Sequence, residues 1–275
     1  TAGLMWQKTC RESKRFRLRA EITSFVPRQE NAEVMEVRIT NTGAESREVA
    51  GVAAIPVYGR SADNIRDHRN VTSMLHRIRT VEHGVLVKPT MSFDEKGHRE
   101  NHRIYYVLGS DGSGKAPERF YPSVDSFIGE GGTFLHPRAV YEGREGVMPG
   151  AGVDGREAMG GLRFPPVTLG PGRAAVYIVL FGIAEDEGEV RRVLASLGTE
   201  KQIEAAFRET KDYWQEQVNV RYRTESPDFD RLMRWVSFQP FLRRLYGCSF
   251  LPHHDYGRGG RGWRDLWQDC LSLLL

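Results

Sequence analysis

Apolar and polar residues alternate through Phe16-Arg17-Leu18-Arg19-Ala20-Glu21-Ile22. A period of two places one face of a strand against a core and the other in solvent. The same period returns in Val37-Arg38-Ile39-Thr40, after which Asn41-Thr42-Gly43 supplies turn chemistry. Residues 49–58 form an apolar run with Pro56 near its end, and further strands are predicted at 84–87, 104–108 and 174–181. The last of these is long and apolar enough to lie in a buried sheet. Short strands parted by Gly, Pro, Asn and Asp predict an antiparallel sandwich. Long polar connections at 60–69, 109–120 and 143–161 are of a length that marks functional or mobile segments in a compact domain.

After Gly182 the period lengthens to that of a helix. Residues 186–197 carry Val190, Val193, Leu194 and Leu197 on one face and close at Gly198, a plausible C-cap. Thr199 is a fitting N-cap for a second helix with Ile203, Ala206, Phe207 and Trp214 along its stripe. A third helix is predicted at 228–245, with Phe229, Leu232, Met233, Val236 and Leu242 on its apolar side; Pro240 is expected to kink or split it. From Trp263 onward Trp263, Leu266, Trp267, Cys270, Leu271 and Leu274 again recur at helical spacing. There is no internal repeat and no heptad pattern.

The 275 residues are 40% hydrophobic and 27% charged, which is globular composition with enough apolar material for a sizeable core. A net charge of +3 is too small an excess to argue for nucleic acid or an anionic membrane. No run approaches the ~18 apolar residues of a membrane helix, and no basic-then-apolar signal pattern stands at the N-terminus. Cysteine stands at 10, 248 and 270, an odd number without a CxxC pair, which favours a reducing compartment. The chain starts at Thr1 rather than Met and stops within Leu273-Leu274-Leu275, so both ends are expected to be cut and the chain to be a fragment.

The densest chemistry lies in 253–271, where His253, His254, Asp255, three arginines (Arg258, Arg261, Arg264), Asp265, Asp269, Trp263 and Trp267 surround four glycines. Gly257-Arg258-Gly259-Gly260-Arg261-Gly262 matches GxGxxG, but that fingerprint works only between a strand and a helix, and Pro252-His253-His254-Asp255 is not an apolar strand. Gly109 to Lys115 is a near-Walker A that lacks the metal-binding Ser or Thr, Ala116 standing in its place; a surface hairpin loop accounts for it better. His253, His254 and Asp255 are metal-ligand types, yet consecutive residues in an extended loop point in alternating directions, and no metal is assigned. A single Arg-Gly-Gly unit is poor support for RNA.

Asp265 and Asp269 stand four apart and share a helix face, with Cβ atoms about 5–6 Å apart. That separation resembles a retaining carboxylate pair, but two acids on one face cannot flank a scissile bond. Arg261 and Arg264 would hold them ionised, which suits binding of ligand hydroxyls better than proton donation. A salt-bridge cluster at a helix N-terminus is the alternative.

Arg258-Gly259-Gly260-Arg261-Gly262-Trp263-Arg264-Asp265-Leu266-Trp267-Gln268-Asp269 closely resembles the motif that opens the catalytic barrel of glycoside hydrolase family 94, the inverting β-glucan phosphorylases. Residues 20–27, residues 36–43, and Asp228-Phe229-Asp230 with Trp235 and Gln239 resemble the same family's sandwich and linker. The resemblance implies a β-super-sandwich at 1–184, a helical linker at 185–247 and the beginning of an (α/α)6 barrel at 248–275. It places the subsite for the non-reducing-end sugar on Arg258 and Asp265, with Arg264 and Gln268 beside them. Trp263 or Trp267 can stack on a sugar or serve as barrel core, the latter being the expectation here.

The implied reaction is phosphorolysis of β-linked gluco-oligosaccharides to α-glucose 1-phosphate, with inorganic phosphate as co-substrate and no cofactor or metal. The family's general-acid Asp and phosphate-binding residues lie beyond this motif, so no catalytic residue is assigned in this chain. A homodimer in the cytoplasm is implied, with the rest of the barrel as partner and neither nucleic acid nor membrane. The Trp263 form of the motif and Asn64-Ile65-Arg66-Asp67-His68-Arg69 resemble the 1,2-β-oligoglucan enzymes more than the cellobiose, laminaribiose or chitobiose ones. A non-catalytic carbohydrate-binding or scaffold module, or a hydrolase on the same fold, is the alternative reading.

Overall fold

The structure is a computed structural model that describes residues 1–59, 69–94 and 97–246, together with the helical positions Trp267 and Leu271. The chain forms β1 (Ala2–Gly3), β2 (Trp6–Ser13), β3 (Leu18–Phe25), β4 (Ala32–Asn41), β5 (Arg47–Val49) and β6 (Val52–Val57), then α1 (Arg69–Leu75), β7 (His76–Val81), β8 (Gly84–Pro89), β9 (Met91–Asp94), β10 (Gly97–Glu100) and β11 (Ile104–Asp111). It continues with β12 (Arg119–Ser123), α2 (Val124–Ile128), α3 (Arg138–Tyr141), β13 (Gly152–Asp154), β14 (Ala158–Arg163), β15 (Val167–Leu169) and β16 (Ala174–Ala184). The helices α4 (Glu187–Leu197), α5 (Glu200–Gln217) and α6 (Pro227–Tyr246) follow.

Nine strands pair antiparallel in the order β1-β2-β3-β4-β16-β11-β8-β7-β13, and a smaller sheet has the order β12-β14-β6. Alternation along the central strands divides the core. Val85, Val87, Val107 and Val179 join Val57, Ala158 and Leu162 of the smaller sheet in one cluster. Leu86, Tyr106, Leu108, Ile178 and Leu180 join Val190, Val193 and Leu197 of α4 and Ile203 of α5 in another. The molecule therefore has three layers, with helices on one face of the large sheet and the small sheet on the other. This is why β16 reads as a near-continuous apolar run: both of its faces are covered. Each fully buried aliphatic side chain in these clusters contributes about 1.5–3 kcal/mol of transfer free energy. A third cluster, Tyr121, Val124, Phe127, Ala139 and Met159, packs α2 and α3 on the small sheet.

Several expected strands move at their ends. The strand expected from Phe16 begins at Leu18, because Arg17 takes φ 54 in the turn from β2 and leaves Phe16 exposed. The apolar run 49–58 breaks at Gly51, where a Cβ would lie 2.8 Å from the Tyr177 ring; β5 pairs with β15 and β6 with β14. Pro56 is tolerated because β6 is the edge of its sheet, where a missing N–H costs no ladder bond.

The connection expected at 143–161 is corrected at its end: β13 closes the large sheet and β14 is the central strand of the small one. Gly160 of β14 is there for contact, not freedom, since a Cβ would stand 2.2 Å from Cβ of Val107 in the facing sheet. The hairpin loop expected at 109–115 is likewise corrected: β11 runs to Asp111, and the connection after it leads from the large sheet to β12 in the small one.

The helices follow their caps. The Asp186 carboxylate accepts the Glu189 N–H at 2.8 Å, and at the start of α5 the Thr199 N–H and hydroxyl donate to Gln202 Oε1 at 3.0 and 2.8 Å. Gly198 follows α4 as expected but keeps φ −82 rather than the left-handed form. α6 runs through Pro240 as one helix instead of splitting. Phe238 and Phe241, before and after the proline, both meet Trp214, at centroid distances of 5.3 and 6.3 Å, and this packing offsets the lost backbone bond.

Candidate functional site

Arg258, Arg264, Asp265 and Gln268 lie outside the described residues, as do His253, His254, Asp255, Asp269 and the glycines between 257 and 262. Of the helix expected from Trp263, Trp267 and Leu271 are described and helical, 63% and 62% exposed. Standing four apart, they share a face. The expectation that Trp263 or Trp267 is barrel core rests on residues outside the described ones and is not tested by them.

The near-Walker A segment 109–115 proves to be a mechanical joint. The Asp111 carboxylate accepts the Ser113 N–H at 2.8 Å, the Ser113 hydroxyl at 2.7 Å and the Lys115 N–H at 3.0 Å, so the donors that would cradle a phosphate are satisfied internally. Burial pushes this carboxyl up, but those donors outweigh it and hold it below the ordinary Asp range. The loop then receives the α4–α5 junction. The Ser110 hydroxyl donates to the Gly198 carbonyl at 2.7 Å, and the Glu200 N–H donates to the Gly112 carbonyl at 3.0 Å.

Beside this joint Arg38 of β4 forms ion pairs with Glu200 at the first turn of α5 and, at 3.4 Å, with Glu36. Burial raises the Glu36 carboxyl against the pull of Arg38. This cluster seats α5 on the sheet. Farther along α5, Phe207 packs on Trp6 and Phe25 at centroid distances of 5.4 and 5.1 Å, and Arg28 lies 4.7 Å from the Tyr213 ring centroid.

A cleft of about 430 Å³ opens between the N-terminal strands and the two last helices. The chain at Ala2, Gly3 and Leu4 borders it, with Trp6 of β2, Lys211 and Gln215 of α5, and Arg231, Arg234 and Trp235 of α6. No acid lines it. Arg231 pairs with Asp228, and the Lys211 ammonium sits 4.6 Å from the centre of the Phe207 ring. Arg234 differs from both: its Nε and Nη2 are buried and without a hydrogen-bond partner among the described residues. Sequence reasoning did not find this cleft, since Trp6 and Trp235 stand far apart in the chain and border one space only in the fold.

Among the described residues no helix is long and apolar enough to cross a membrane.

Residues 6–200, which run from β2 to the first residue of α5, match the family model described as "Glycosyl hydrolase 94, supersandwich domain". The chain is 26% identical over 263 residues to an N,N'-diacetylchitobiose phosphorylase of Vibrio proteolyticus, covering 93% of this chain and 30% of that protein. It is also 26% identical over 212 residues to a 3-O-beta-D-glucopyranosyl-beta-D-glucuronide phosphorylase of Paenibacillus borealis, covering 77% of this chain and 26% of that protein. The chain thus spans less than a third of the length of these relatives. Among solved structures a polysaccharide lyase matches with a TM-score of 0.40 at 15% identity, over 70% of this chain and 23% of the lyase chain.

Proposed function

Because the chain belongs to the glycosyl hydrolase 94 supersandwich family, we propose that it is the sandwich and helical part of an inverting glycoside phosphorylase. In this reading the whole protein cleaves β-linked gluco-oligosaccharides with inorganic phosphate. A phosphate oxygen bonds to the anomeric carbon as the glycosidic bond breaks, an acid protonates the departing sugar oxygen, and α-glucose 1-phosphate leaves with inverted configuration. The observation that carries the reading is the family match over 6–200, supported by two relatives whose names are both phosphorylases.

Arg258 and Asp265 hold the non-reducing-end glucose, with Arg264 and Gln268 beside them. A guanidinium and a carboxylate give charge-assisted, directional hydrogen bonds to hydroxyls of fixed stereochemistry. No residue of 1–275 is assigned as the acid. We place 1,2-β-oligoglucans first among substrates, on the Trp263 form of the motif and the segment 64–69. The three layers described here serve as the base on which residues 248–275 enter the catalytic part.

The test is phosphate-dependent release of glucose 1-phosphate from β-1,2, β-1,3 and β-1,4 gluco-oligosaccharides by the full-length protein. Product that requires phosphate names the activity and the linkage together. Free glucose without phosphate assigns a hydrolase, and inactivity toward all three assigns a binding or scaffold module.

A further inference from the structure

β2 lies next to one end of the large sheet, and much of its outer side is open. β1 pairs with Trp6 and Gln7. Beside them the Lys8 N–H donates to the Thr1 carbonyl at 2.7 Å, and the Thr1 ammonium donates to the Lys8 carbonyl at 2.9 Å. The N–H and C=O of a strand residue point to one side, and the side alternates along the strand. Lys8 points outward, so Cys10 and Glu12 do too, whereas Thr9, Arg11 and Ser13 face their β3 partners Ile22, Ala20 and Leu18. Among the described residues no strand meets Cys10 or Glu12 from outside, and residues 7–12 are exposed. Such unpaired donors and acceptors are a template for one more strand.

The turn beyond this edge sets the chemistry of the strand that fits. Residues 9–18 carry Arg11, Lys14, Arg15 and Arg17 against one acid, Glu12. Among the described residues these cations form no ion pair, whereas Lys8 and Arg19 at the flanks are taken up by Glu21 at 2.9 and 3.7 Å. The Arg15 guanidinium lies 5.2 Å from the centre of the Phe16 ring, which is 55% exposed. Charged side chains can guard an edge by repelling a like edge, but a surplus of one sign also selects a partner of the other. An anionic polysaccharide or a nucleic acid would use the cations and leave the Cys10 and Glu12 backbone idle. An acidic peptide in extended form uses both.

We propose that the outer edge of β2 and the turn at 14–17 dock an extended, acidic peptide segment of a partner protein. The segment adds a strand beside Cys10 and Glu12 and brings its carboxylates to Lys14, Arg15 and Arg17. Antiparallel pairing, the sense that β1 takes on β2, puts the N-terminal end of the peptide at the turn. None of these residues is assigned to the sugar, so the proposal stands whether or not the protein is a phosphorylase.

Fluorescence anisotropy with the full-length protein and two labelled peptides tests it. One peptide is a run of glutamates followed by Thr-Val-Thr-Val; the other has the same glutamates followed by prolines, with the charge but no N–H to pair. The strand-forming peptide is expected to bind about tenfold tighter than the proline peptide, and less tightly as salt rises. Cys10→Pro removes an outward N–H without costing a bond to β3, so it is expected to weaken binding about tenfold at unchanged Tm. Lys14→Glu combined with Arg15→Glu is expected to do the same through charge. Both side chains are exposed, which keeps the test open if Cys10→Pro does not fold.

Equal binding of the two peptides overturns the proposal in favour of plain attraction of anions to the turn. Unchanged affinity in either variant overturns it as well. So does absence of binding by the strand-forming peptide; with a lowered Tm in Cys10→Pro, that absence assigns the edge to a segment of the full-length chain itself.

Discussion

Asn41 is fully buried, and its amide donates to the carbonyls of Glu45 at 2.7 Å and Leu169 at 2.8 Å while its side-chain oxygen accepts the Gly43 N–H at 2.9 Å. One side chain thus closes the turn after β4 and ties it to β15. Removing it strands the buried Leu169 carbonyl and loses two further bonds of the turn, so Asn41→Ala is expected to cost about 2–3 kcal/mol in urea unfolding. Asn41→Asp is expected to cost more at neutral pH, since a carboxylate would face two carbonyl oxygens; equal stability of the two variants would assign the turn to backbone bonds alone. Asp111 gives a pH dependence. Its folded carboxyl titrates below the unfolded one, so its contribution is complete above the ordinary Asp range and is lost as pH falls through the depressed folded value. Asp111→Ala is expected to cost about 1 kcal/mol at pH 7, the loop being partly exposed, and progressively less as pH falls below the ordinary Asp range; a cost independent of pH would contradict this. Turn and cap residues such as Asn41 and Thr199 were legible in the sequence, because their chemistry acts on neighbours a few positions away. Arg234 was not, because being unpaired depends on everything that folds around it.

At the scale of elements, the central strands and three helices after Gly182 could be read from period alone, since β8, β11 and β16 are buried and α4 and α5 carry one apolar face each. What misled was glycine. Gly160 lies in a strand whose facing partner is Val107, and its smallness sets the spacing of the two sheets. Gly160→Ala is expected to cost about 1–3 kcal/mol by overpacking, with calorimetric unfolding as the measure. Gly160→Ala combined with Val107→Gly is expected to lose less than the sum of the two single changes, because the nearest clash is with the Val107 Cβ, which glycine removes; additive losses would point to the backbone instead. α6 makes the converse case, an element recognised but with too few partners. Phe238 is buried against Trp214 and Trp235, whereas Phe229, Leu232 and Val236 are exposed. Phe238→Ala is expected to cost about 3–5 kcal/mol and to free α6 for proteolysis ahead of the sandwich; simultaneous cleavage of both would show that they unfold as one unit.

For the whole molecule, the exposed stripe of α6 and the exposed Trp267 and Leu271 are more apolar surface than a solitary monomer usually shows. The isolated 275-residue chain is expected to self-associate, and a monodisperse monomer in light scattering would contradict this. The sequence made the β-rich sandwich and the helices behind it legible. It did not reveal that α4 and α5 turn back to roof the large sheet, because a helical stripe shows that a face is covered and not by what. That roof sits over a seam with a history in time. β4 lies against β16 from Ala32 with Gly182 to Thr40 with Ala174, with β5 to β15 between them in the chain. On the ribosome the hairpins β2-β3 and β3-β4 can form early, but β4 must wait, its outer edge open, until β16 emerges. Closing so long a loop is entropically slow, and an open apolar strand edge invites pairing with a neighbouring chain. Synthesis halted before residue 174 would therefore leave a product with a sticky edge, and the last strand of the domain is the one that makes the earlier ones safe.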